Sequence, residues 1–255
     1  MMSERWYRRS GQPCYTLPNK SKPGTMRATT KADAKKLDLV PSVTTISKIV
    51  YSFGLERWKE GQILQAAWEY RVLGLAESIE RDQWCAAVKV KANEISSTAS
   101  DTGEDIHHAI LDELLVTGKL GGPYMEWQKT FADWWKKQEW FGKMDYMVTQ
   151  EGYIPTNYGY GGRFDIYVQA EFPMLDIILD LKTQNAKGKP FTFYRSWGRQ
   201  LAAYAQALAA SRLISIVMDS QDSERIEAYE WPDYGALLKE FEASQLLWTS
   251  ENGFN

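Results

Sequence analysis

Two strongly apolar runs, GRFDIYVQA at 162–170 and DIILDLKT at 176–183, carry Asp165, Asp180 and Lys182 inside them. Both runs have the length and the β-branched and aromatic content of strands. Strands this apolar belong in the interior of a sheet, where an unpaired carboxylate is costly. If they form a hairpin turning through Glu171 to Met174, Phe164 faces Leu181, Ile166 faces Leu179 and Val168 faces Ile177. Asp165 then lies opposite Asp180. Lys182, two residues further along, projects from the same face because strand side chains repeat every second residue. A slip of one residue would set carboxylates against leucines, so the pattern selects this register.

Two carboxylates placed so closely raise each other's pKa unless a cation lies between them. Oxygen-dominated ligation with open positions suits Mg²⁺ or Mn²⁺ better than zinc. An adjacent lysine can orient water or neutralise charge developing on a phosphate. The competing reading is an Asp–Lys ion pair on a solvated sheet face.

Other residues converge on this pattern. Glu151, in VTQEGYI, stands on the preceding predicted strand and offers a third carboxylate, or is an exposed strand residue. The only histidines are His107 and His108, in TGEDIHHAILDELL. On a helix His107 shares the face of Ile110, Leu111 and Leu114 and points inward, whereas His108 falls beside Asp112. His107 is therefore either a hydrogen-bonded core residue or a metal ligand. In RSWGRQLAAYAQAL, Gln200 and Tyr204 lie at the polar edge of a helical stripe, as packing residues or as contacts to substrate.

Around this centre the chain reads as a mixed α+β protein. Residues 1–40 are polar, interrupted by Pro13, Pro18, Pro23 and Gly24, and are expected to form an irregular basic arm. Residues 41–255 are expected to make one domain, helical over 41–142 and then built on a catalytic sheet with flanking helices over 143–255. Ser42 or Thr44 is the expected cap of a helix at PSVTTIS, followed by helices over 54–74, 75–95, about 101–116 and 124–141. The period then changes to two, giving strands at 145–153, 163–170 and 176–183. A helix from about Phe193 to Ser211, strands at 213–218 and 225–231, and a closing helix from Asp233 complete the order.

Composition narrows the function classes. The 255 residues, 44% of them apolar and 13% aromatic, suffice for a full core. The longest apolar run is too short to span a bilayer, and MMSERWYRRSGQPCYTLPNK lacks the apolar centre of a signal peptide, so a cytosolic protein with no membrane contact is expected. Cys14 and Cys85 are too few for a disulfide framework, a zinc knuckle or an iron–sulfur cluster. The net charge is −3, yet residues 1–40 carry +6 and the stretch Lys182–Arg199 carries +5, from Lys182, Lys187, Lys189, Arg195 and Arg199, leaving −14 for the rest. Two basic segments on an acidic body form either a phosphate-tracking stripe or solvated lysines in a tail and a loop.

The ordered set PSVTTIS, GEDIH, Glu151, GYGGRFD at 159–165, LDLKT at 179–183 and QLAAY at 200–204 resembles the PD-(D/E)XK nuclease superfamily. The likeness is to its RecB-like and phage-type exonuclease branch, which includes mitochondrial genome maintenance exonucleases. It spans about 41–210, and a GxxxH before the DxK with a QxxxY after it makes it specific. It implies a restriction-endonuclease-like core, with Mg²⁺ or Mn²⁺ bound by Asp165, Asp180, the Leu181 carbonyl and His107, and with Lys182 as the catalytic lysine. Gln200 and Tyr204 would hold substrate and lysine, and Ser42 and Thr44 would lie on the DNA path. Asp180 stands where glutamate is commoner, and no helicase or ATP-binding segment is present, so unwinding would need a partner. The expected activity is metal-dependent DNA exonucleolysis on single strands or duplex ends, in phage-type recombination or replication and alongside the proteins of those processes. The alternatives are a structure-specific or nicking endonuclease, a non-catalytic nucleic-acid-binding module on the same scaffold, and a hydrolase of small phosphoesters.

Overall fold

The computed structural model describes residues 4–50, 53–74, 79–138, 140, 146–170 and 176–254. In chain order they form β1 (Trp6–Tyr7), β2 (Thr16–Pro18), β3 (Met26–Ala28), α1 (Lys31–Lys36), β4 (Val40–Pro41) and α2 (Val43–Ser47). Helices α3 (Phe53–Val72) and α4 (Arg81–His108) follow, then a π-helical turn over Ala109–Leu114, α5 (Leu115–Thr117) and α6 (Met125–Lys136). The remainder is β5 (Tyr146–Tyr153), β6 (Arg163–Ala170), β7 (Ile177–Gln184), α7 (Arg195–Leu208), β8 (Arg212–Asp219), β9 (Ile226–Glu230) and α8 (Tyr234–Asn252). The fold is mixed α/β, with a helical N-terminal half and a central mixed sheet flanked by helices. Among the described residues, no helix is long and apolar enough to cross a membrane.

The chain divides into two compact units, Met1–Val50 with His107–Asn255, and Tyr51–Ile106. In the smaller unit α3 and α4 enclose a small core of Ala66, Val88 and Ala92. The larger unit holds the five-stranded sheet, ordered β5-β6-β7-β8-β9. The first three strands are antiparallel, α7 crosses over so that β8 runs parallel to β7, and β9 returns antiparallel. Helices α7 and α8 cover one face, where Ile178 and Leu213 pack with Leu201, Ala202, Tyr204 and Phe241. Ile177 and Leu179 are fully buried as well. Successive strand residues point to opposite faces, so both faces of β7 are covered, which is why its sequence is a near-continuous apolar run.

The β6–β7 register is the one the hydrophobic pattern selects, pairing Ile166 with Leu179, Tyr167 with Ile178 and Val168 with Ile177. The expected turn at Glu171–Met174 lies outside the described residues. The ladder stops at Ile166 and Leu179, so the expected pairs Phe164–Leu181 and Asp165–Asp180 do not form as backbone partners.

Two further expectations are corrected. No helix starts at Asp101 or Thr102, because α4 runs unbroken through them. The hydroxyls of Ser96, Thr98 and Thr102 bond back to the carbonyls of Ala92, Glu94 and Thr98 instead of capping a new helix. Residues 4–40 are also more ordered than an irregular arm. Trp6 is fully buried and packs on Trp248 and Phe254, and β1 pairs with β4, which continues through a Ser42–Gly161 bridge. Strands of two residues have no period to read, so the pattern is silent there.

Gly161 is a packing constraint rather than a loose hinge: a Cβ on it would meet Tyr7 Cγ at 2.5 Å. Gly61, inside α3, faces open space. Gly161→Ala is predicted to destabilise by about 1–3 kcal/mol through overpacking. Gly61→Ala should stabilise its helix by roughly 0.5–1 kcal/mol. Urea unfolding followed by circular dichroism measures both.

Candidate active site

Asp165 and Asp180 sit where the β6–β7 ladder opens. Asp165 is 8% exposed and Asp180 only 2%. The opening has a local cause: Asp165 Oδ2 accepts the Leu181 backbone N–H at 2.8 Å, taking a donor that a longer ladder would use. The site is thus built by a side chain replacing a main-chain rung.

Each carboxylate has a basic side chain of its own. His107, in the last turn of α4, brings Nε2 to 3.1 Å from Asp165 Oδ2. Lys182 donates to Asp180 Oδ1 at 2.8 Å and stands 2.7 Å from Oδ2. Oδ2 thus has the ammonium in ion-pair contact and no hydrogen bond from another group. Gln200 of α7 reaches Asp180 Oδ1 at 3.4 Å and Tyr204 Oη at 3.1 Å. Tyr204 lies against Gly162, where a Cβ would come within 2.5 Å of its ring.

The two acids titrate in opposite directions. Burial, ahead of the attraction of Lys182, pushes the Asp180 carboxyl up to about 6, with Asp165 adding to the rise. Burial also raises Asp165, but its hydrogen bond and attraction to His107 outweigh that and hold it below the ordinary carboxylate range. Burial lowers His107 and Lys182, and in both the neighbouring aspartates more than restore the charge, so both are raised.

Glu151 forms an outer layer. It interrupts the β5–β6 ladder between the pairs Gln150–Ile166 and Gly152–Phe164, in the left-handed region at φ 38°. A non-glycine residue held there stores about 1–3 kcal/mol of strain, and such residues cluster at functional sites. Its Oε1 lies 3.2 Å from Arg163 and 3.9 Å from His107 Nδ1. Burial raises its pKa, Arg163 opposes this and Asp112 adds to it. His108 faces away from Asp165, 3.3 Å from Asp112.

The remaining candidates are placed elsewhere. Ser42 caps α2, accepting from Thr45 N at 2.9 Å, and its hydroxyl also meets those of Thr44 and Thr45. Arg195 and Arg199 both turn to Glu240 of α8, at 2.5 and 3.4 Å. Lys187 occupies a turn at φ 51°, and the Lys189 carbonyl accepts from Arg225 at 2.7 Å.

Sequence reasoning missed three contributors. Arg163 pairs with Glu151, and its position two residues before Asp165 on the same strand was an available signal. Gln128 is fully buried and donates to the Ala109 carbonyl at 2.9 Å and to Glu113 at 3.1 Å, bracing the π-helical turn that follows His107. Tyr7 approaches from the N-terminal segment, and no local pattern marks it.

Among the described residues no three His, Cys, Asp or Glu side chains already surround a common point. The donors nevertheless suit a hard divalent cation: two buried carboxylates and an imidazole beside one of them.

No protein-family model matches the chain, and no curated protein sequence matches it. Solved structures resemble it in part. One is the crystal structure of SSO0001, with a TM-score of 0.30 and 16% identity over 62% of this chain and 65% of that one. Another is an alkaline exonuclease, LHK-Exo, from Laribacter hongkongensis, with a TM-score of 0.26 and 16% identity over 60% of this chain and 86% of that one. This chain therefore covers just under two thirds of the first. At such scores the likeness is partial, and the functional reading rests on the residues themselves.

Asp180 binds its proton more tightly folded than unfolded, so its contribution to stability falls as pH rises from about 4 through about 6. Lys182→Met removes the one ammonium beside it and extends that loss upward. The variant is predicted to lose about 3–5 kcal/mol at about pH 8 and much less at about pH 5, where Asp180 takes up a proton. Thermal unfolding at the two pH values measures the difference.

Proposed function

We propose that this protein is a divalent-metal-dependent DNA exonuclease, hydrolysing phosphodiester bonds on single strands or at duplex ends. The observation that carries this reading is the pair of buried aspartates beyond the last β6–β7 rung, with Lys182 in contact with both oxygens of Asp180. A purely structural ion pair would not need the second buried carboxylate.

Asp165, Asp180, the Leu181 carbonyl and His107 would hold Mg²⁺ or Mn²⁺. When bound, the cation supplies Lewis-acid polarisation of the phosphate and a lowered pKa for water. The chain's own residues do the rest. Lys182 stabilises negative charge on the non-bridging phosphate oxygens as water adds to phosphorus. The bond from phosphorus to the leaving sugar oxygen then breaks, and that oxygen takes up a proton. Gln200, bonded to both Asp180 and Tyr204, holds the carboxylate in orientation. Glu151, paired with Arg163 and near His107 Nδ1, keeps the imidazole in place. The net positive charge of residues 1–40 favours a polymeric phosphate substrate over a small phosphoester.

End-labelled linear and circular DNA, single- and double-stranded, incubated with Mg²⁺, Mn²⁺ or EDTA, tests the reading. Metal-dependent loss of linear DNA with circles spared is expected. Asp180→Asn and Lys182→Ala should each lower the rate by about 10³-fold or more while DNA binding persists. Nicking of circles would replace the exonuclease with an endonuclease, and binding without cleavage under either metal would leave a binding module.

A further inference from the structure

The N-terminal segment reaches the site at Gly161–Gly162. Ser42 N donates to the Arg5 carbonyl at 2.9 Å, Gly161 N to the Pro41 carbonyl at 2.9 Å, and Val43 N to the Gly161 carbonyl at 2.9 Å. Backbone hydrogen bonds thus lash residues 5–7 to the strand that leads into Asp165. Two adjacent glycines then receive two adjacent phenols: Tyr7 lies against Gly161 and Tyr204 against Gly162, each at a separation no Cβ would permit. Tyr7 Oη and Tyr15 Oη are 2.6 Å apart, and the Arg5 guanidinium lies over the Tyr15 ring, 5.8 Å from its centroid. Hydrogen bonds thus join Asp180 to Gln200 and Tyr204, and on the neighbouring glycine Tyr7 joins Tyr15 and, through its ring, Arg5. Electrostatics agree: burial raises the Tyr204 phenol, and Asp180, Asp165 and Tyr15 all add to the rise, so Tyr15 shares that neighbourhood.

Arg5 differs from the other arginines of this segment that are tied down. Arg9 is bound by Asp38 and Arg27 by Asp33, both through two nitrogens. Arg5 is exposed and, among the described residues, faces no carboxylate. Its backbone is fixed, since Arg5 N donates to Thr45 Oγ1 at 3.2 Å. A guanidinium stacked on a phenol, with its N–H donors unspent, is preorganised for a phosphate.

We infer that Arg5, steadied on the Tyr15 ring, binds a backbone phosphate of the nucleic-acid strand occupying the site, which makes the β1 segment part of the substrate-binding surface. This rests on the nucleic-acid reading above. Because phosphate contacts carry no base identity, the contribution is independent of sequence.

The test uses the full chain carrying Asp180→Asn, with a fluorescent single-stranded oligonucleotide titrated over a range of salt concentrations in Mg²⁺. Arg5→Ala is expected to raise Kd roughly fivefold for every sequence and to reduce the slope of log affinity against log salt by about 0.7, the loss of one phosphate contact. Arg5→Lys should restore the slope and part of the affinity. Arg8→Ala, a neighbouring exposed cation, should change Kd by less than about twofold. In the cleaving protein Arg5→Ala should raise KM and leave kcat unchanged, as uniform binding requires. An Arg5→Ala variant that binds as tightly, with the same salt slope, overturns this inference alone. Failure of the Arg5-containing parent to bind DNA at all overturns it together with the nucleic-acid reading.

Discussion

One hydrogen bond organises the centre of this protein: the Leu181 N–H given to the Asp165 carboxylate instead of to the β6–β7 ladder. It stands where the ladder ends, one residue beyond the Ile166–Leu179 pair. It adds to the pull of His107 and Lys182 that keeps Asp165 ionised. Everything else at the site follows from having two acids in a buried opening. His107 answers one and Lys182 the other, while Gln200 and Tyr204 close the side toward the helices. The apolar, packed strands around Asp180 make its burial costly, and Lys182 offsets part of that cost.

The charges are balanced in pairs rather than collected. Asp165 is paired with His107 and Asp180 with Lys182, side by side. Asp165, Asp180 and His107 would hold a divalent cation on the oxygens and nitrogen they now share with each other and Lys182, and Lys182 would then be available to a phosphate. The DxK spacing is what makes this possible. Residues two apart on a strand share a face, so acid and lysine stay neighbours whichever partner each takes.

Much of this was legible in the sequence. The β6–β7 register followed from period-two alternation, because any slip exposes leucine and buries charge. The inward orientation of His107 and the outward one of His108 followed from helical period. What was not legible depended on contacts distant along the chain or on single backbone angles. Nothing local marks Glu151 for φ 38°, and nothing near Tyr7 announces that Gly161 will receive its ring. The run of Ser and Thr before His107 reads as a helix start, yet those hydroxyls bond back along α4 and keep it continuous. Arg195 and Arg199 read as substrate cations from the charge pattern, while Glu240, more than forty residues later in the chain, draws both toward α8. Charge patterning counts cations, and only the fold says which of them already have a carboxylate.

The central claim is that the opening between β6 and β7 binds a divalent cation through Asp165 and Asp180. Calorimetric titration of Mn²⁺ into the full chain, compared with its Asp180→Asn variant at the same pH, tests it most directly. The account predicts saturable binding by the parent that is lost or weakened by about tenfold or more in the variant, both proteins being folded by circular dichroism at the temperature of the titration. Absence of Mn²⁺ binding by the parent, or equal binding by both proteins, would contradict it.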